Sequence, residues 1–249
     1  MPHTLGLLGG GMIAASIARL AVDAGLDVVV SNTRGPATLA DLVAGLGGRT
    51  RAATPEEAAL AGDLVVAAVP PSAHGRLPAV ALAGKTVLDT ANYYPERDGR
   101  VPELEEGTTS SARLQSILPG ARVVKAFNNI TPHQIRTLAR AAGAADRSAL
   151  PVAADDETAR AEAVALLDLL GFDAVDAGTL RDSWRCEPGT PVYIRPYLGG
   201  VPAMNIEDFL RWTEETPGVV VPAERVTALL AEAVRLRAGE AELPKENAV

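Results

Sequence analysis

Three consecutive glycines, Gly9, Gly10 and Gly11, follow the apolar run Leu5-Gly6-Leu7-Leu8 and open an amphipathic stretch at Met12. A strand that turns this sharply into a helix leaves the first-turn N–H groups unpaired and turns the positive end of the helix dipole outward, which makes a ready anion site. Read as G-x-G-x-x-A, Gly9 makes the turn, Gly11 lets the backbone approach a pyrophosphate, and Ala14 sits where helix and strand pack. The pattern predicts a strand over residues 4–8, a helix over 12–24 and a second strand over 27–31, the context this motif requires. The expected fold class is therefore α/β, a Rossmann-type doubly wound and mostly parallel sheet.

The rest of the chain extends that sheet. A helix is predicted over 36–46 and a short strand over 49–53. Thr54-Pro55-Glu56-Glu57 reads as a helix start, with Thr54 as N-cap and Glu57 closing a capping box. Apolar runs at 64–69, 85–89, 122–126 and 150–154 lack the polar alternation of a half-wet strand, so they belong in a sheet covered on both faces. A helix over 156–170, ending at Gly171, and a strand over 172–175 complete the pattern. A Rossmann-type dinucleotide-binding domain over 1–177 is expected. It is followed by a small C-terminal subdomain over 178–249: an irregular Pro/Gly/Tyr-rich segment, helices over 203–213 and 222–237, and a loose tail from 239.

The end of the second strand selects the cofactor. NAD enzymes usually place an acid there, about 20 residues past the glycines, to hold the ribose 2′-OH. Here the segment reads Ser31-Asn32-Thr33-Arg34-Gly35, with no acid between Asp27 and Asp41. Hydroxyls, an amide and a guanidinium bind a 2′-phosphate that a carboxylate would repel. NADP(H) is the expected cofactor, contacted by Gly9, Gly10, Gly11, Met12, Ile13, Ser31, Asn32, Thr33 and Arg34.

Ligands of open α/β sheets sit beyond the carboxyl ends of the strands. Those ends carry Val69 and Pro70, then Asn92 in Asp89-Thr90-Ala91-Asn92-Tyr93-Tyr94, and then Asn128 and Asn129. The asparagines suit a carboxamide or a substrate carbonyl, and each also suits an Asx-turn. His74, His133 and Tyr93 are candidate proton donors, and the catalytic candidates are Asn128, His74 and His133. No Ser/His/Asp or Cys/His arrangement is visible. Direct hydride transfer needs none, because the cofactor supplies the chemistry.

A net charge of −8 argues against nucleic acid or an anionic membrane as the main partner. The longest apolar stretches are far too short to span a bilayer. The N-terminus has no basic n-region, and Cys186 has no second cysteine to pair with, so a cytoplasmic protein is expected. Three scattered histidines and one cysteine give no metal-ligand spacing.

Several spaced blocks resemble the NADP-dependent oxidoreductases related to coenzyme F420:NADP reductase. They are Leu8 to Ala14, Ser31 to Pro36, Asp89 to Arg97, Val123 to Ile130 and Asp173 to Gly178. The resemblance implies hydride exchange between NADP(H) and a 5-deazaflavin co-substrate such as coenzyme F420, in a homodimer. It implies the 2′-phosphate at Ser31, Thr33 and Arg34, and the nicotinamide end at Pro70, Asn92 and Asn128. Arg181, Arg185 and Arg195 are candidates for the anionic deazaflavin tail. Reduction of a small carbonyl or imine compound, or non-catalytic NADPH binding, are the alternatives.

Overall fold

The computed structural model of the chain describes residues 2–202 and 204–236. Eight strands form a continuous sheet in the order β3-β2-β1-β4-β5-β6-β7-β8. They are β1 (Thr4–Leu8), β2 (Asp27–Ser31), β3 (Thr50–Ala53), β4 (Leu64–Ala67), β5 (Thr86–Asp89), β6 (Arg122–Lys125), β7 (Ala149–Ala154) and β8 (Asp173–Asp176). The first six are parallel and in the doubly wound order, reversing direction between β1 and β4. β7 then runs antiparallel to β6, paired only at Val124–Ala154 and Lys125–Ala153, and β8 is parallel to β7.

Helix α1 (Met12–Asp23) buries Ala14, Ile17, Ala18 and Ala21 against the sheet. The expected helix at 36–46 is divided into a 3-10 turn, Pro36–Leu39, and α2 (Ala40–Leu46). Helix α3 (Pro55–Ala61) starts with the predicted capping box, because Glu57 N donates to Thr54 Oγ1 at 3.2 Å and Thr54 N donates to the Glu57 carboxylate at 2.9 Å. A 3-10 turn, Pro71–Arg76, precedes α4 (Ala79–Leu82). Short helices α5 (Pro95–Asp98) and α6 (Pro102–Glu105) lead to α7 (Ser110–Ile117). Then come α8 (Pro132–Thr137), which packs on α1, and α9 (Glu157–Leu169), which lies across β5 to β8.

Strand β4 stops at Ala67, two residues before the expected end, because the chain must turn ahead of Pro70 and Pro71, neither of which can donate to a ladder. Beyond β8 the Pro- and Gly-rich segment folds into a 3-10 turn, Leu180–Cys186, and α10 (Arg195–Leu198). Helices α11 (Ile206–Glu215) and α12 (Ala223–Ala231) follow. The helix expected at 222–237 ends at Ala231, and the described residues 232–236 after it have no regular structure. The first residue of the helix expected at 203–213, residue 237 and the tail from 239 lie outside the described residues. Residues from this region enter the main core: Cys186, Val192, Tyr197, Val226 and Leu229 cluster with Leu150, Phe172 and Leu5. The Tyr197 hydroxyl donates to Ala149 O at 2.8 Å, and Val221 N donates to Ser148 Oγ at 3.2 Å. Among the described residues no helix is long and apolar enough to cross a membrane.

Candidate functional site

The glycine turn is held from both sides. Gly9 N donates to Ser31 O at 2.9 Å, and a Cβ built on Gly9 would stand 2.3 Å from Ala68 O at a φ of +124°. Only glycine tolerates both the conformation and the approach. Gly11 is the opposite case. It is the N-cap of α1 in extended conformation, offers no side-chain cap, and a Cβ there would meet nothing within 4 Å. Open space thus faces the uncapped first turn of a 12-residue helix that has no acid in that turn. A pyrophosphate fits that arrangement, and bound there it would satisfy backbone donors that the fold leaves unpaired. Met12 is exposed, Ile13 is half-buried, and Gly10 stands beside Asn32.

The four residues at the end of β2, Ser31 to Arg34, divide into two pairs. Ser31 is fully buried, and its hydroxyl donates to Leu7 O at 2.9 Å. The Asn32 carboxamide accepts from Arg34 N at 2.9 Å and donates to Thr38 Oγ1 at 2.9 Å. Both side chains are therefore spent in shaping the turn. Thr33 and Arg34 are exposed, and the Arg34 guanidinium has no ion-pair partner among the described residues. The groups free to meet a 2′-phosphate are Thr33 and Arg34.

At the ends of β5 and β6, Asn128 Nδ2 donates to Asn92 Oδ1 at 3.0 Å and to Cys186 O at 2.7 Å, while Asn92 Nδ2 donates to Asn128 O at 2.8 Å. The pair expected to line the nicotinamide end is thus joined directly. Asn128 is 4 % exposed, and its Oδ1 accepts nothing from the protein. Leaving a buried acceptor unsatisfied costs about 1–3 kcal/mol. A nicotinamide carboxamide carries the N–H donor that would satisfy it. The turn itself is strained: Phe127 adopts φ +58°, and Ile194, whose N–H donates to Asn129 O at 2.9 Å, adopts φ +55°. A positive-φ residue with a bulky or β-branched side chain persists only where packing enforces it. Here Phe127 is edge-on to Phe172, with ring centroids 6.0 Å apart.

Residues far along the chain complete the wall. The Tyr193 hydroxyl lies 3.5 Å from Asn92 Nδ2 and is hydrogen-bonded to the Tyr94 hydroxyl. Burial pushes both phenols upward, Tyr193 well above the ordinary tyrosine value, so both stay protonated through neutral and moderately alkaline pH. Tyr93 has a different duty: its hydroxyl donates to Gly99 O at 3.1 Å and accepts from Val101 N at 3.0 Å, pinning the loop before α6.

Behind the turn lies a buried charged cluster. Lys125 is wholly buried; its ammonium donates to Ala91 O and to Ser110 Oγ at 2.8 Å, with Asp89 and Glu187 carboxylates each at 3.8 Å. Asp89 in turn accepts from Ser111 Oγ at 2.6 Å and from Ala91 N at 2.9 Å. The cluster fastens residues 89–91, and hence Asn92, to β6 and to the segment at 187.

The histidine candidates fall elsewhere. His74 is wholly buried in the 3-10 turn after β4, its Nε2 4.0 Å from Asp89 Oδ1, and neither ring nitrogen has a hydrogen-bond partner. A sealed imidazole does not reach a substrate. Burial lowers its pKa, opposed only in part by Asp89. The unfolded chain binds a proton near pH ~6.5 and the folded chain only below that, so His74 favours folding fully above ~6.5 and the advantage is lost as pH falls through it. Denaturant midpoints should decline from pH 7.5 to 5.5, and the decline should flatten in His74→Gln. An equally steep decline in that variant would assign it to another group. His133 is half-buried near the start of α8, the helix packed on α1, and no hydrogen bond links it to the Asn92–Asn128 pair. Val69 and Pro70 lie just past β4, with Pro70 exposed.

Beside the asparagine pair is a cavity of about 500 Å³. Tyr93, next in the chain to Asn92, and Glu187, next to Cys186, both line it, together with Glu105, Glu106, Trp184 and Arg235. A volume of this order holds a small organic substrate.

The glycine turn with its uncapped helix start, the strand-end asparagines and the cavity are the features against which the comparisons can be set. Residues 4–93 match the family model of the coenzyme F420-dependent NADP oxidoreductases. The resemblance seen in the sequence is borne out over those residues, and the sheet is of Rossmann type. Among solved structures it is similar to a hypothetical protein from Sinorhizobium meliloti, at 26 % identity over 78 % of this chain and 93 % of that one, TM-score 0.66. It is also similar to a provisionally assigned F420-dependent NADP reductase from Arthrobacter sp. FB24, at 28 % identity over 72 % of this chain and 86 % of that one, TM-score 0.61. An imine reductase from Aspergillus terreus shares the fold at 22 % identity, covering 73 % of this chain and 57 % of that one, TM-score 0.52. No curated protein sequence matches the chain.

Proposed function

We propose that this protein is an NADPH-dependent reductase whose second substrate lies in the cavity beside Asn92 and Asn128. The observation that carries the reading is the unsatisfied Asn128 Oδ1, a buried acceptor at the strand ends where this fold receives a nicotinamide. Bound NADPH supplies the hydride. The protein's part is to orient and to exclude water: Asn128 fixes the carboxamide, Asn92 fixes Asn128, and Lys125 anchors the turn that carries Asn92. Thr33 and Arg34 hold the 2′-phosphate, and the turn from Gly9 to Ile13 holds the pyrophosphate.

The family model favours an oxidised deazaflavin such as coenzyme F420 as hydride acceptor. A small carbonyl or imine compound is the second reading. It is favoured by the Tyr193–Tyr94 phenol pair beside Asn92, since such a substrate needs a proton at oxygen or nitrogen as the hydride arrives at carbon. Mixing the protein with NADPH and oxidised coenzyme F420, and following the deazaflavin absorbance, tests the first; a panel of cyclic imines and ketones followed at the NADPH band tests the second. On the second reading Tyr193→Phe should lower kcat by about 100-fold, the lower end for general acid catalysis, and leave the NADPH Kd unchanged. Tight NADPH binding with no turnover of either panel would leave a cofactor-binding protein. We further propose a homodimer in the cytoplasm, which light scattering and cell fractionation test.

A further inference from the structure

We infer that Arg97 is a positioning residue for proton transfer: its guanidinium binds the Asn92 backbone to the face of Tyr94 and supplies the charge that balances the phenolate left when the Tyr94–Tyr193 pair gives up a proton. The pair has a proton to give. Two phenols carry two hydrogens, and the hydrogen bond between them uses one. Asn92 Nδ2 donates to the Tyr193 hydroxyl at 3.5 Å, which occupies an oxygen lone pair and not a hydrogen. Neither hydroxyl has a further acceptor among the described residues, so one O–H is left for a substrate atom.

A buried phenol is a poor acid, because the phenolate it becomes has lost its water. Burial raises both hydroxyls here. The charged groups that face them are Arg97, which opposes the rise at both, and Asp98, which adds to it at Tyr94. The guanidinium donates to Asn92 O at 2.6 Å and to the Asp98 carboxylate at 2.8 Å, and it lies over the Tyr94 ring, 5.1 Å from the centroid. Asp98 is fastened on its own account: its side chain is wholly buried and accepts from Tyr94 N at 3.0 Å and from Ser72 Oγ at 3.1 Å. One turn of α5 thus ties together the strand-end asparagine, the donor pair and the loop after β4. None of the three arginines singled out in the sequence does this. Arg185 is stacked on Trp184 at 4.6 Å and donates to Leu230 O, while Arg181 and Arg195 are exposed. As a carbonyl or imine carbon takes the hydride from NADPH, which leaves as NADP+, its oxygen or nitrogen takes the phenolic proton. The pair is then singly anionic beside Arg97 and recovers its proton from water.

That the proton goes to a reduced acceptor rests on the reductase reading; that Arg97 sets the acidity of the pair does not, and the experiment separates them. Tyr193 is replaced in the full chain by 3,5-difluorotyrosine, whose phenol ionises within the range a folded protein tolerates, and its titration is followed by fluorine NMR. Arg97→Gln keeps a donor for Asn92 O and drops the charge, whereas Arg97→Lys keeps the charge. Both alter an exposed side chain, so the fold should hold. The expected result is a titration about one pH unit higher in Arg97→Gln, about a tenfold fall in the ionisation constant, and little change in Arg97→Lys. On the ketone and imine panel Arg97→Gln should lower kcat about tenfold and leave the NADPH Kd unchanged. A titration that Arg97→Gln leaves unmoved, or that both variants move alike, overturns the inference. So does an unaltered kcat in Arg97→Gln when the native chain reduces the panel. A native chain that reduces no acceptor defeats the reductase reading, and the titration still decides the place of Arg97.

Discussion

Arg34→Ala should raise the Kd for NADPH by about 10- to 100-fold and leave that for NADH within about twofold. A hydrogen bond to a charged group contributes about 1.5–3 kcal/mol, and about 1.4 kcal/mol is a factor of ten. The difference between cofactors is what matters, because the two differ only at the 2′-phosphate. Arg34 is exposed and unpaired, so its removal frees no buried partner and should hardly alter stability. Exposure also makes the contact sensitive to salt, and the measurement belongs at low ionic strength. Arg34→Lys should recover only part of the loss, since an ammonium cannot present the planar fork of a guanidinium. Equal weakening of NADPH and NADH would remove Arg34 from the 2′-phosphate site.

Gly9→Ala should be the most damaging single-methyl change in the turn. At φ +124° an alanine is strained, by about 1–3 kcal/mol. The new Cβ at 2.3 Å from Ala68 O must also push β1 and β4 apart at their ends. Together these amount to about 3 kcal/mol and a Tm lower by about 10 °C for a chain of this size, with NADPH binding lost. Gly11→Ala provides the control. Its backbone suits alanine and its methyl meets nothing, so it should keep the parental Tm while weakening NADPH by occupying the space before the helix. Matching Tm losses in both variants would refute this division of labour between the two glycines.

The parts of the site that were legible in the sequence are those fixed by neighbours in the chain. The glycine turn, the capping box at Thr54 and the strand-end asparagines all follow from local chemistry. Residues 31–34 were legible as a group, but not in their individual duties. That Ser31 faces inward depends on the pleat and on Leu7 across the ladder, a non-local partner. His74 was open to reading as a ligand-facing group because residue type does not reveal burial. Lys125 was hidden the other way, a cation within an apolar run whose compensation comes from Asp89, Ser110 and Glu187. Tyr193 and Trp184 carried no motif, and only the return of the chain across the ends of β5 and β6 brings them to Asn92 and the cavity. Their one outward sign was the aromatic, Pro- and Gly-rich character of the segment.

The reversal of β7 has a mechanical side. Between β6 and β7 the sheet is stitched by two residue pairs, whereas each parallel ladder from β3 to β6 has four or five. The cavity straddles that seam: Tyr93, Glu105 and Glu106 come from the chain before β6, and Trp184, Glu187 and Arg235 from beyond β8. Its width is thus governed by the angle between two wings of one sheet. With so short a stitch, that angle is held in part by α9, which packs across β5 and β6 on one side and β7 and β8 on the other. The apolar face of a helix that touches no ligand would then help to determine how large a molecule the cavity admits.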